Sequence, residues 1–226
     1  SESEIAWDML TLLGANLKHV MGIYLYGSYA RDEQTPESDV DVLVVSTKKL
    51  ELPKKYLTYE ITAATLEQLE NQLEDNAPLI LPIILGAKPL MNEALLDKYK
   101  EHTLTRKNTQ WYIETTETSL ALAKHLIDEL EYLPSIVYPL ILRLRGLFLI
   151  KNILRGKLPT AEQVNNSLVK GGLSQEKVEQ LMLIYRQHRD DKRISSHTLA
   201  HKDALQLYSI VHKYYSEVKK LWEKLT

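Results

Sequence analysis

Tyr24-Leu25-Tyr26-Gly27-Ser28-Tyr29-Ala30-Arg31, followed by Ser38-Asp39-Val40-Asp41-Val42-Leu43-Val44, decides how this chain is read. Ile23 to Tyr26 is a short β-rich run ending at a glycine, which predicts a strand and then a turn. Val40 to Val45 predicts a second, strongly apolar strand. Residues two apart on a strand point to the same face, so Asp39 and Asp41 project together at a spacing of about 7 Å. Two unpaired carboxylates held so close repel, and a divalent cation removes that penalty. Mg²⁺ takes oxygen ligands and is often held by one or two carboxylates plus substrate phosphates. The apolar neighbours Val40, Val42, Leu43 and Val44 anchor the pair on a rigid strand, a good platform for a metal site.

The Gly27-Ser28 turn supplies the complementary chemistry. Glycine has no Cβ, so a phosphate can approach the backbone. Amides at a tight turn feeding a helix start form an anion-binding concavity, and Ser28 adds a hydroxyl donor. A triphosphate held there, with Asp39 and Asp41 facing a cation, meets the needs of phosphoryl or nucleotidyl transfer, which depends on positioning and charge neutralisation. Glu60, in a third predicted strand from Leu57 to Thr62, is the candidate third carboxylate. It can serve as a metal ligand or as general base for an attacking hydroxyl; the alternative is a solvent-facing strand residue.

Outward from this stretch, Ile5, Met9, Leu12, Leu13 and Leu17 recur at helical spacing, with Ser3 as the N-cap. Lys48 to Lys55 contains Pro53 and reads as a loop or frayed helix. Thr65 and Gln68 have capping-box spacing and open a helix to about Glu74. Leu79 to Leu85, with Pro82, is expected to be an edge strand or a bulge. Asn92 caps a short helix to about Lys100. After about Thr105 no β-rich run occurs. Helical stretches are predicted at 111–133, 138–155, 161–170, 174–189 and 198–225, with short connections that indicate a bundle. The fold class expected is α+β: a small mixed β-sheet domain, residues 1–104, then an all-α helical bundle, residues 105–226.

The 226 residues are 44% hydrophobic and 26% charged, and contain no cysteine. Disulfides and thiolate metal sites are therefore excluded, and a reducing, cytoplasmic setting is expected. No uninterrupted apolar run approaches the roughly 18 residues of a membrane span, and the acidic, amphipathic N-terminus does not read as a secretory signal. The net charge of −2 conceals an asymmetry. Residues 1–104 hold 9 Lys and Arg against 17 Asp and Glu, a balance of −8; residues 105–226 hold 19 against 13, a balance of +6. Either the opposite charges help two units dock, or the basic half supplies cations to an anionic substrate.

At Gly27-Ser28-Tyr29-Ala30-Arg31 and Ser38-Asp39-Val40-Asp41 the sequence resembles the nucleotidyltransferases of the DNA polymerase beta superfamily, nearest the small prokaryotic minimal and kanamycin-type branch. The resemblance covers roughly residues 20–62. It implies Mg²⁺-dependent transfer of a nucleoside monophosphate from a nucleoside triphosphate, with ATP the expected donor and pyrophosphate the product. It also implies that Gly27, Ser28 and Arg31 hold the triphosphate and that Asp39, Asp41 and Glu60 hold metal. Glu60 falls where relatives usually carry Asp, and Asp32 stands where small relatives often have Gly. By architecture alone the second half resembles HEPN bundles. HEPN ribonucleases use an Arg and a His separated by about four to six residues. Here Arg193 and His197 have three between them, and Arg189 and His197 seven, so the spacing does not support RNA cleavage.

Other residues read as structural. His197 and His201 share a helix face without a fuller ligand set. Arg186, Arg189, Lys192 and Arg193 alternate with Asp190 and Asp191 in a solvated turn. Arg143 and Arg145 diverge around their helix, and Trp111, Tyr112, Tyr208, Tyr214 and Tyr215 are packing residues. The site is expected in a cleft between the two domains. The acceptor is not legible; a small hydroxylated molecule or a protein side chain fits better than RNA, and a homodimer is compatible with the sequence. The rival readings are a non-catalytic nucleotide-binding or toxin–antitoxin-like module, and a HEPN-like ribonuclease.

Overall fold

The computed structural model describes residues 1–36, 38–129, 133–158, 160–190 and 198–226. Asp191, Lys192, Arg193 and His197, weighed above, lie outside the described residues. The chain divides into two compact units, Ser1–Thr103 and Leu104–Thr226. The first contains a mixed sheet and the second, among the described residues, only helices, so the fold is α+β.

In the first unit, helix α1 (Glu2–Leu13) leads through a 3-10 turn into β1 (Val20–Tyr26). Then follow α2 (Gly27–Ala30), β2 (Val40–Ser46), β3 (Lys55–Tyr56) and β4 (Tyr59–Thr65). Helices α3 (Leu66–Asp75) and α4 (Ala77–Gly86), strand β5 (Lys88–Met91) and helix α5 (Glu93–Lys100) complete it. The sheet order is β3-β4-β2-β1-β5. The β2–β4 pair is parallel and the other pairs are antiparallel.

The period-two alternation of the strands separates two faces. Ile23, Leu25, Val40, Val42, Val44, Tyr59 and Ile61 lie on one and are buried in a cluster with Ile5, Met9 and Leu13 of α1. On the other, Leu43 and Val45 are fully buried. Helices α3, α4 and α5 contact the strands and contribute the buried Leu69, Leu73, Leu81, Ile84, Leu96 and Tyr99. Strand β2 is thus covered on both sides over most of its length, which is why its sequence is continuously apolar after Asp41.

Helix starts follow from local chemistry. Thr65 and Gln68 form the predicted capping box, and the Asn92 side chain accepts from the Leu95 amide. The α1 cap is Ser1 rather than Ser3: Ser1 and Glu4 bond reciprocally, so the helix begins two residues earlier than expected. The expected strand at Leu79–Leu85 is instead the interior of α4, with Pro82 inside the helix. Pro78 near its start favours a helix, and an apolar run buried all round carries no period to tell helix from strand. The sheet edge is formed by the short β5, which carries Lys88 and Pro89.

The second unit contains α6 (Arg106–Glu129), α7 (Val137–Ile153), α8 (Ala161–Lys170), α9 (Gln175–Arg189) and α10 (His201–Trp222). Helix α7 packs against α10, α9 and α6. By length and composition Leu133–Ile153 could cross a bilayer, with mean hydropathy 1.6, contrary to the run-by-run reading above. Its window is 61% buried within the protein, as befits the central helix of a bundle. Arg143 and Arg145 do diverge: Arg143 lies over the Tyr112 ring and donates to Thr115 Oγ1 at 3.1 Å, and Arg145 lies over Tyr185. Arg186 and Arg189, expected in a solvated turn, stand instead in the last turn of α9, and Arg189 is paired with Asp190 at 2.8 Å.

Helices α6 and α7 meet where Gly146 faces the buried Tyr112, whose hydroxyl donates to the Arg143 carbonyl at 3.3 Å. A Cβ at residue 146 would overlap that hydroxyl. Gly146→Ala gains helix propensity of about 1 kcal/mol. Overpacking of about 1–3 kcal/mol outweighs this, so the urea midpoint of the variant is expected to fall. A midpoint that rises would show that Tyr112 yields freely.

Candidate active site

The first half of the site is built by a bend. Strand β1 ends at Tyr26, and Gly27 adopts φ +71°, a left-handed conformation that L side chains rarely take. The chain makes the single turn α2, crosses an exposed loop and returns as β2, antiparallel to β1, with Asp41 opposite Tyr26. This return sets the Asp41 carboxylate directly against the α-carbon of Gly27. A Cβ at residue 27 would overlap Asp41 Oδ2, so conformation and space both require glycine here.

The second half is a row across the sheet. Tyr26 pairs with Asp41, Asp41 with Glu60 in the parallel β2–β4 ladder, and Glu60 with Lys55 of β3. Paired residues share a face, so the four side chains stand side by side. Asp39 lies one residue ahead of β2, and its Oδ2 accepts from Lys55 Nζ at 3.2 Å. The Tyr26 hydroxyl and Thr62 Oγ1 are 2.9 Å apart.

The electrostatics follow from this crowding. Partial burial first, then the Glu60 and Asp39 carboxylates, push the Asp41 carboxyl up to about 6 against the opposing pull of Arg31. Burial likewise raises the Tyr26 hydroxyl; the Thr62 hydrogen bond opposes this, while Asp41 and Glu60 add to it. A partly desolvated carboxylate beside two others is a position short of positive charge.

The structure brings together Gly27, Asp39, Asp41 and Glu60. Glu60 is exposed, with Asp41 on one side and Lys55 on the other. Ser28 is half-buried on α2, and its carbonyl accepts from the amides of Arg31 and Glu33. Arg31 ends that turn, with Nε on Glu33 Oε2 at 2.8 Å, close enough for its charge to act on Asp41. Among the described residues no three His, Asp or Glu side chains close into a metal cage. The donor set nevertheless fits a hard dication: it is all oxygen, and the upward pressure on Asp41 is what a cation between carboxylates would relieve. Mg²⁺ commonly takes only one or two protein carboxylates and fills its shell with water and phosphate.

Two members of the row escaped the sequence reading. Lys55 stood in an expected loop, and Tyr26 was only the end of a strand. The strand register reveals both, because Lys55 opposes Glu60 and Tyr26 opposes Asp41. The motif spacing alone does not.

Among solved structures, a nucleotidyltransferase-like protein from Exiguobacterium sibiricum is similar at 13% identity and TM-score 0.40, over 94% of this chain and 75% of that one. The spectinomycin adenyltransferase of Enterococcus faecialis, solved with ATP and spectinomycin, is similar at 14% identity and TM-score 0.46, over 96% of this chain and 99% of that one. No curated protein matches the sequence. Residues 9–137, from the middle of α1 through the whole sheet to the first residue of α7, match the nucleotidyltransferase domain. That span exceeds half of the chain and contains the bend and the carboxylate row, so the chain belongs to the nucleotidyltransferase domain family and is a nucleotidyltransferase enzyme.

Proposed function

We propose that this enzyme transfers a nucleoside monophosphate from a nucleoside triphosphate, ATP by preference, to an acceptor hydroxyl, with Mg²⁺ as its metal and pyrophosphate as its second product. The observation that carries the reading is Asp41, set against Gly27 and held at about 6 by burial and by the Glu60 and Asp39 carboxylates. Asp39 and Asp41 would hold the metal, with Glu60 beside them. The ion, when bound, would neutralise the triphosphate and make its α-phosphorus more electrophilic.

The remaining roles belong to side chains and amides of the chain. Backbone amides at Gly27 and Ser28, the Ser28 hydroxyl and Arg31 would orient the triphosphate. Glu60 is accessible and would accept the proton of the acceptor hydroxyl. The acceptor oxygen then bonds to the α-phosphorus. The bond from that phosphorus to the bridging oxygen breaks, and pyrophosphate leaves with the electron pair. Lys55 would neutralise Asp39 until substrate arrives. A small hydroxylated molecule or a protein side chain is favoured as acceptor over RNA, because the sheet-bearing half carries a balance of −8 and its sequence holds no strongly basic run.

Asp41→Asn is expected to slow pyrophosphate release from ATP and Mg²⁺ by about 10³-fold, equivalent to about 4 kcal/mol of barrier. Turnover equal to the parent's would sink the reading. The same variant also tests the electrostatics. The folded-state value of about 6 lies above the ordinary 3.8, so the folded chain binds the proton more tightly. Stability from this group is therefore present at low pH, declines as pH rises through that window, and is lost above it. In metal-free protein near neutral pH, Asp41→Asn should raise Tm by about 2–4 °C, with the gain vanishing below about pH 4. A drop in Tm at neutral pH would refute the assigned repulsion. Lys55→Met removes the ammonium from Asp39. It should tighten Mg²⁺ binding, read by calorimetry, by up to about fivefold, the range of an exposed ion pair. Weaker binding would show instead that Lys55 supports the site.

A further inference from the structure

We propose that the helical unit carries a second ligand site, for a small molecule bearing a phosphate or carboxylate group, in a cavity of about 280 Å³ lined by α7, α8 and α10. That volume is at the lower end of ligand pockets and suits a molecule of sugar-phosphate or tricarboxylate size. The site is separate from the carboxylate row and does not depend on the role given to Asp41.

The wall chemistry selects an anion. Three cations, Lys151, Arg155 and Lys170, line the cavity, and no Asp or Glu does so among the described residues. Lys151 is fixed and partly neutralised from behind: its Nζ bonds Glu217 Oε2 at 2.6 Å and lies 5.1 Å from the centre of the Tyr214 ring. Arg155 and Lys170 have no carboxylate partner among the described residues, so two uncompensated charges of one sign flank one concavity. Like charges so placed repel, and an anion between them converts repulsion into charge-assisted hydrogen bonds.

Two side-chain amides agree with this polarity. Gln163 accepts from the Thr160 amide through Oε1, at 3.3 Å, which leaves its NH₂ group as a donor. Asn166 contributes a second side-chain amide. Ser167 donates its one hydroxyl proton to the Val164 carbonyl at 2.6 Å, so the neutral donors left to a ligand are the side-chain amides. The apolar side is rigid: the Phe148 and Tyr214 rings pack with centroids 4.6 Å apart. Cations and amide donors on one side and an aromatic pair on the other fit a compact ligand with a charged head and a carbon body. Solvated lysines on an open helix face would not require the concavity or the ring pair.

Calorimetric titration at low ionic strength tests the site on the full chain, with glucose 6-phosphate, citrate and uncharged glucose as probes. The parent protein should bind at least one of the two anions and not glucose; which anion binds tells phosphate from carboxylate chemistry. Arg155→Ala combined with Lys170→Ala removes two charge-assisted contacts from exposed positions. It should weaken binding by about tenfold or more, with an unchanged far-UV spectrum. Asp41→Asn should leave this binding unaltered. Lys202→Ala combined with Lys213→Ala, outside the cavity, should weaken it less than about twofold. Failure of both anions to bind overturns the proposal. So does an equal loss in the Lys202 and Lys213 variant, which would mark diffuse attraction, or tighter binding on Asp41→Asn, which would place the anion beside the carboxylate row.

Discussion

The contact between the Asp41 carboxylate and the α-carbon of Gly27 is the constraint around which the first unit is arranged. It exists because β1 turns back as β2 in a register that sets Tyr26 opposite Asp41. Slipping that register by one residue would turn Asp41 to the apolar face, against Ile5, Met9, Ile23 and Leu25, where a carboxylate has no partner, and would turn Val40, Val42 and Val44 away from it. Burial of those valines against α1 therefore orients the acidic residues as surely as it stabilises the sheet. The apolar face acts as the alignment device for the polar one.

The same arrangement sets stability against chemistry. Three carboxylates at one end of a well-packed sheet repel, and partial burial of Asp41 adds a desolvation penalty. The buried strand cores absorb both, since stability lost at a functional site is compensated by packing elsewhere. Lys55 softens the conflict without ending it. Its pair with Asp39 is exposed on both sides, 70% and 47%, so solvent screens the attraction. Asp41, further in, keeps the strain.

What the sequence disclosed depended on how local each signal was. The Gly27-Ser28 bend, the Asp39-Val40-Asp41 repeat and the caps at Thr65 and Asn92 are written within a few residues, and each appears in the structure near its expected place. The periodic helices of the second unit were readable for the same reason. Failures came where meaning lay in partners distant along the chain. Lys55 acquires a role only through pairing with Glu60, and Tyr26 only through pairing with Asp41. Leu79–Leu85 misled because burial on every side erases the polar face that tells a helix from a strand, and a proline seemed to exclude the interior of a helix. Ser1 was passed over for Ser3, although the reciprocal bond with Glu4 needed only a serine and a glutamate three apart.

The borders of the sheet bear on how copies of this chain could associate. On one side β3 is only two residues long; on the other, β5 has four, one of them a proline without an amide hydrogen and another a lysine. Neither outer strand itself offers the long row of free amides and carbonyls on which a foreign strand docks. Growth of the sheet from one molecule into the next finds only a short foothold on either outer strand.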